Sequence, residues 1–242
     1  MGLQDRFKKI QDNMAAACAR SKRDLRDVTL VAVTKSATPE NIKQLVEAGH
    51  LDFGESRVQQ VQQRAAQIDE WLHRQHGRTE KKLPAPGSLR WHMIGHLQRN
   101  KVRGVLTVCS IVHSVDSLRL AEEIQDESQR ATRPTKVLLE VNVAEESTKF
   151  GVAVGAALHL AEQIDTMDDV QLIGLMCMAP YSQNPEDARP HFARLREIFE
   201  EIKFRKIGGE KFKHLSMGMS GDYQVAIEEG ATMIRVGTAL FG

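Results

Sequence analysis

Apolar residues fall into two patterns that take turns along the chain. Short runs rich in Val, Ile and Leu stand at 29–35, 51–54, 91–95, 110–115, 136–142, 171–178, 214–219 and 233–237. Runs this short and this apolar fit strands buried on both faces, as in a parallel sheet. Segments with helical spacing lie between them, at 38–48, 55–73, 97–103, 116–130, 153–166, 186–204 and 222–229. A further helix precedes all the strands, because Leu3, Phe7, Ile10 and Met14 recur at helical spacing over 3–20. Thr38 caps the helix after the first strand, Pro39 takes its first position and Gly49 stops it. Residues 77–90 mix Gly, Pro, Lys and Arg without a period and read as a mobile surface loop.

Counted from Leu30, strand and helix alternate eight times, with no Asn-Gly type of hairpin turn between strands. Strands separated by helices pair in parallel through right-handed crossovers. Eight such units in a chain of 242 residues match a (β/α)8 TIM barrel, here with an extra N-terminal helix. The rival is a doubly wound open sheet, which would carry Gly-x-Gly-x-x-Gly after an early strand. That motif is not in the sequence, so residues 1–242 are expected to form a single barrel domain.

Composition narrows the class of function. A formal net charge of +1 gives no electrostatic reason for a nucleic-acid or membrane partner. The basic clusters at Lys22-Arg23, at Lys81-Lys82 and from Lys203 to Lys213 are interleaved with acids or lie by loops, as on solvated faces. Cys18, Cys109 and Cys177 are odd in number and have no paired spacing, which points to a reducing compartment. The first residues hold no signal-peptide core, and Arg6 stands where a myristoylation motif wants Ser or Thr. No apolar run is long enough to cross a bilayer. The expectation is a cytoplasmic protein.

Candidate chemistry lies at the strand ends. In a barrel, the C-terminal ends converge on one mouth. Here they read Lys35, Gly54-Glu55, Gly95-His96, His113-Ser114, Asn142, Met178, Met219-Ser220 and Arg235-Val-Gly-Thr238. Taken alone, Lys35 could simply pack its stem on the strand while its ammonium reaches water. Ser220 could merely cap its helix, and Arg235 could pair with Glu140 or Asp222. Together they point further. Ser220 with Gly237-Thr238 occupies the usual phosphate seat of a barrel, after strands seven and eight. A phosphate seat, a lysine on the first strand and an arginine on the last suggest pyridoxal 5'-phosphate, whose aldehyde needs an amine. Other chemistries have less support. His92 and His96 are four apart on a strand and its exit, about 13 Å along the chain, with no acid to complete a metal set. Thr34 and Ser36 have no base beside them, and Met176, Met178, Met217 and Met219 read as barrel filling.

These residues lie in stretches that resemble the YggS/PROSC family of pyridoxal-phosphate-binding homeostasis proteins. The stretches are Val31-Ala-Val-Thr-Lys35, Asp52-Phe-Gly-Glu-Ser56, Trp91-His-Met-Ile-Gly-His-Leu-Gln98 with Asn100-Lys101, and His113-Ser-Val-Asp116. They continue through Leu139-Glu-Val-Asn-Val143, Gly174-Leu-Met176, Leu215-Ser-Met-Gly-Met-Ser220, Ala226-Ile-Glu-Glu-Gly-Ala231 and Arg235-Val-Gly-Thr238. The resemblance covers nearly the whole chain. It implies one barrel like the N-terminal domain of alanine racemase. It implies that Lys35 carries the cofactor as a Schiff base, that Ser220, Gly237 and Thr238 hold its phosphate, that Arg235 faces the pyridine nitrogen and that Asn142 lies beside it. Ser56 stands where the family usually has Asn, so no binding role is carried onto it, and Arg99 is also unusual. The implied function is vitamin B6 homeostasis without efficient catalysis, with apo-enzymes as the expected recipients of the cofactor, and a monomer is expected. The alternative is a pyridoxal-phosphate-dependent racemase, or a Schiff-base aldolase using Lys35. Tyr223, in the helix after the seventh strand, could approach the mouth, but nothing in the sequence orients it as a base, and a racemase takes its tyrosine base from a second domain.

Overall fold

The computed structural model describes residues 2–76, 82–146 and 149–242. Helix α1 (Leu3–Arg20) comes first, and the strand–helix units follow. They are β1 (Thr29–Val33) with α2 (Pro39–Glu47), β2 (Asp52–Glu55) with α3 (Val58–Gln75), and β3 (Arg90–Met93) with α4 (Val102–Leu106). Next come β4 (Cys109–Val115) with α5 (Leu118–Arg130), then β5 (Thr135–Asn142), a two-residue β6 (Val152–Ala153) and α6 (Ala157–Asp165). The chain ends with β7 (Val170–Met176) and α7 (Arg189–Phe204), β8 (His214–Ser216) and α8 (Tyr223–Glu228), and β9 (Met233–Val236) and α9 (Thr238–Phe241).

All strand pairings are parallel, and eight strands form a ring in the order β1-β2-β3-β4-β5-β7-β8-β9. The ring closes where Thr29 to Ala32 of β1 lie beside Met233 to Val236 of β9. Strand β6 pairs with the end of β5, outside the ring. The expected eight-unit barrel with an extra N-terminal helix is therefore the observed fold. Local rules explain individual elements. The Thr38 side chain accepts from the Asn41 amide and the Asn41 side chain accepts from the Thr38 amide, so a reciprocal cap starts α2 at Pro39.

The differences cluster at strand ends. The apolar run of β1 reaches Lys35 in the sequence, but pairing stops at Val33 and Thr34–Ser36 form a 3-10 turn. Strands β7 and β8 stop at Met176 and Ser216, before the expected 178 and 219. Apolar character continues past the last ladder bond because Cys177 and Met217 are still buried in the main apolar cluster, and pattern alone does not mark where pairing ends. At Gly218 the backbone has φ +92°, and a Cβ there would lie 2.5 Å from Ala226 Cβ, so only glycine turns the chain out of β8. Helix α4 begins at Val102, after a 3-10 turn at Arg99–Lys101, so that of the expected helix at 97–103 only Val102 and Arg103 are α-helical. Residues 77–81 of the expected loop, Lys81 included, lie outside the described residues, and 82–89 form neither helix nor strand.

Strand parity separates two interiors. Outward residues such as Val137, Leu139, Ile234 and Val236 join a continuous apolar layer against the helices, with Ile42, Leu72, Phe192 and Ile202. Inward residues Ile111, Leu138, Ile173, Met176 and Met233 form a separate, small apolar cluster inside the ring. Helix α1 buries Leu3, Phe7, Ile10, Met14, Ala17 and Cys18, and packs against α8 and α9. Polar ties supplement this burial. Arg6 Nε donates to the Leu240 carbonyl at 2.7 Å, and Asn13 Nδ2 donates to the Tyr223 hydroxyl at 2.9 Å.

Candidate functional site

Lys35 sits on the 3-10 turn just beyond β1, at the ring's C-terminal mouth. Its side chain is exposed and has no hydrogen-bond or ion-pair partner among the described residues. The turn beneath it is fixed. Arg64 of α3 reaches across to bond the Thr34 carbonyl and the Glu55 carboxylate, and its other nitrogen donates to the Ala37 carbonyl at 3.3 Å. Thr34 Oγ1 lies 3.0 Å from Glu55 Oε2. Glu55 is fully buried, and it also accepts from the Ser56 amide at 2.8 Å. An ion pair out of water is held by such added hydrogen bonds. Nothing in the sequence around Arg64 marks this role, because the contact joins a helix face to a turn thirty residues away.

The loops after β8 and β9 meet at Ser220. Its Oγ accepts from the Gly237 amide at 3.3 Å and the Ala239 amide at 3.1 Å. Thr238 is exposed at the first position of α9, with Gly237 as its N-cap. The amides of Ser220, Gly221 and Thr238 donate to no acceptor among the described residues. Uncommitted N–H groups of this kind are what an anion requires. The structure thus brings Ser220, Gly237 and Thr238 together at one place on the mouth.

Arg235 follows Met233 with the parity of β9 and points into the ring, buried to 4% accessibility. It forms no ion pair with Glu140 or Asp222, the two acids that the sequence offered as partners. Nη1 donates to Ser216 Oγ at 2.6 Å and Nη2 to the Cys177 carbonyl at 2.9 Å. These bonds engage two of the five N–H donors that a guanidinium carries. Asp222 instead accepts from the Met219 amide at 2.5 Å, and burial raises its pKa. Glu140 shares the inner face of β5. Burial first, and then the charge of Asp116, push it up to about 7 against the opposing pull of Arg235.

Asn142 ends β5. Its Nδ2 donates to the Glu146 carbonyl at 2.8 Å, while Oδ1 is the one buried side-chain polar atom without a partner among the described residues. A buried acceptor left open is costly unless a ligand fills it. Tyr223, which the sequence leaves free to approach the mouth, is instead buried, with its hydroxyl held by Asn13 of α1. His92 and His96 also part company. His92 is inside the ring, whereas His96 stacks on Phe150 at a centroid distance of 4.0 Å and lies 3.3 Å from Asp116. No cluster of metal-ligating side chains is found among the described residues. A free amine, open amides, a donor-only cation and an orphaned acceptor fit a cofactor with an aldehyde, a phosphate and a ring nitrogen. Among the described residues no helix is long and apolar enough to cross a membrane.

Known proteins resemble this chain in sequence and in fold. The family described as alanine racemase, N-terminal domain, matches residues 5–242. A "Pyridoxal phosphate homeostasis protein" of Aquifex aeolicus is 37% identical over 242 residues, covering 100% of this chain and 98% of that protein. PipY of Synechococcus elongatus, solved with PLP bound, superposes with a TM-score of 0.78 at 32% identity, covering 96% of this chain and 100% of PipY. Alanine racemase of Clostridium difficile superposes at 0.65 with 14% identity over 96% of this chain and 56% of the racemase, a likeness of fold alone.

Proposed function

We propose that this chain, which belongs to the family of pyridoxal phosphate homeostasis proteins, binds pyridoxal 5'-phosphate reversibly at the barrel mouth and limits the free aldehyde. The observation that carries the reading is the unpartnered, exposed amine of Lys35 on a fixed turn, at the same mouth as the amides around Ser220. When bound, the cofactor supplies an aldehyde open to amine capture and a ring that can withdraw electrons. Lys35 supplies the amine. Ser220, Gly237 and Thr238 seat the phosphate, and Asn142 Oδ1 offers an acceptor beside the ring. Arg235 faces the ring nitrogen. A guanidinium has donors only, so it bonds that nitrogen unprotonated, and its charge opposes a proton there. The ring is thereby kept a weak electron sink. The proposed role is holding and handing on cofactor, with apo-enzymes as recipients and a monomer as the working form.

The test is an absorption spectrum of the purified protein followed by borohydride reduction and mass mapping. Label on Lys35, abolished by Lys35→Ala with residual non-covalent binding, is the expected result. Label mainly on Lys101 or Lys149 would refute the assignment. Sustained racemisation, decarboxylation or transamination of a common amino acid would turn the reading toward an enzyme.

A further inference from the structure

A barrel lumen is usually filled by branched apolar side chains. Here one line of polar side chains crosses it. Arg235 Nη1 lies 2.6 Å from Ser216 Oγ, and Ser216 Oγ lies 2.9 Å from His113 Nδ1. His113 Nε2 lies 2.9 Å from His92 Nδ1, and His92 Nε2 lies 3.2 Å from Asp52 Oδ1. His92, His113, Ser216 and Arg235 are buried to 4% accessibility or less. The line runs from β9 and β8 across to β4, β3 and β2.

Its two ends have fixed chemistry. Arg235 can only donate. Asp52 can only accept when ionised. Burial resists that ionisation, but hydrogen bonds from His92 and from Arg90, the latter at 2.7 and 2.5 Å, hold it to about 2. Between such ends one arrangement gives each link one hydrogen. Arg235 donates to Ser216, the Ser216 hydroxyl to His113 Nδ1, His113 Nε2–H to His92 Nδ1, and His92 Nε2–H to Asp52. Both imidazoles are then neutral with the proton on Nε2. Adding a proton to His92 would reverse the two middle links. Ser216 would accept from both sides, and its own hydrogen would have no described acceptor in a dry interior, an unfavourable state. Burial, with His92, Arg235 and His214 as neighbouring cations or potential cations, also holds His113 well below its ordinary pKa.

We propose that Asp52, His92, His113 and Ser216 are positioning residues for Arg235, acting as a one-way hydrogen-bond chain that keeps the Ser216 oxygen turned toward the guanidinium. This rests on the reading that Arg235 faces the cofactor's ring nitrogen. An acid that fixes an imidazole tautomer through its second nitrogen is a known device, here repeated over two rings.

The first test needs no cofactor. Long-range ¹H–¹⁵N spectra of the histidine-labelled protein, assigned with His92→Gln and His113→Gln, should show both imidazoles neutral, with bare Nδ1 and protonated Nε2. Asp52→Asn should move part of the His113 signal to the Nδ1–H form, although the two residues do not touch. In the loaded protein, Ser216→Ala should weaken pyridoxal phosphate retention roughly tenfold, as losing one hydrogen bond to a charged group does, and Asp52→Asn should weaken it less. A doubly protonated ring or an Nδ1–H ring at either position in the parent overturns the chain. If Arg235→Gln weakens retention while Ser216→Ala and Asp52→Asn do not, the chain has no positioning role and the reading of Arg235 stands. If Arg235→Gln retains the cofactor as tightly as the parent, the reading of the site falls and the positioning role falls with it.

Discussion

The layer between strands and helices and the space inside the ring are both buried, but they are built on opposite terms. The outer layer is one continuous apolar cluster that runs from Leu3 to Leu240. The lumen has five buried apolar residues in its cluster and shares its space with His92, His113, Ser216, Glu140 and Arg235. Burial of apolar area stabilises without regard to direction, so the outer layer sets how strongly the chain folds. Buried polar groups add little net stability and must be satisfied one bond at a time. What they give is fixed direction, and a binding site needs direction. Stability and function are thus separated by strand parity, one residue apart along β5 and β9.

Substitutions can break that contrast or sharpen it. The largest loss of stability is expected from the outer layer. Phe192→Ala, in α7 at 1% accessibility, should lower the unfolding free energy by about 3–5 kcal/mol in a denaturant titration. The folded fraction should still take up pyridoxal phosphate as the parent does; a parallel loss of affinity would show that the two interiors are coupled. Next comes Glu140 in the lumen. Its folded pKa of about 7 is above its ordinary 4.5, so the native state holds a proton that the unfolded chain gives up between those values. Stability from this group should therefore fall as pH rises from about 4.5 to about 7, and level off above. Glu140→Gln removes the effect, and should be the more stable form above pH 7 by as much as about 3 kcal/mol, with the advantage gone near pH 4.5. A pH-independent difference between the two proteins would contradict a proton held at Glu140. The smallest effect belongs to neither interior. Lys8 and Asp12 pair on the exposed face of α1 at 3.0 Å, and Lys8→Ala should change stability by no more than about 0.5 kcal/mol. A larger change would mean that α1 supports the barrel through its solvent face as well as its buried one.

The barrel was readable from the sequence because its signal is local and repeated. Apolar runs and helical spacings alternate often enough to fix the topology without any long-range information. The places of Lys35, Asn142, Ser220, Gly237 and Thr238 at the mouth were readable because they follow apolar runs directly, and Arg235 stood out as a cation inside the last run. The missed features depend on contacts between distant parts of the chain. His113 and Ser216 are 103 residues apart, and neither carries a local mark of the other. Arg64 sits in a run of helical polar residues that gives no hint of its grip on the turn of Lys35. Tyr223 looked free to approach the mouth because α8 places it near by, but the reach of Asn13 from α1 cannot be read from spacing. The two-residue β6 is too short to leave a pattern. Parity could have found part of the lumen chain, since Arg235 and Met233 share a face of β9.

The ring is shut by its first and last strands, with Thr29 beside Met233 and Ala32 beside Val236. Contacts of such sequence separation form late and slowly, since the long intervening chain must be ordered first. Lys35 leaves the ribosome well before Ser220, Arg235 and Thr238. On the proposed reading of the site, a partly made chain would expose the Lys35 amine before the amides around Ser220 and the Arg235 guanidinium are in place. On that reading, selective capture of the cofactor is expected only from a chain whose ring has closed.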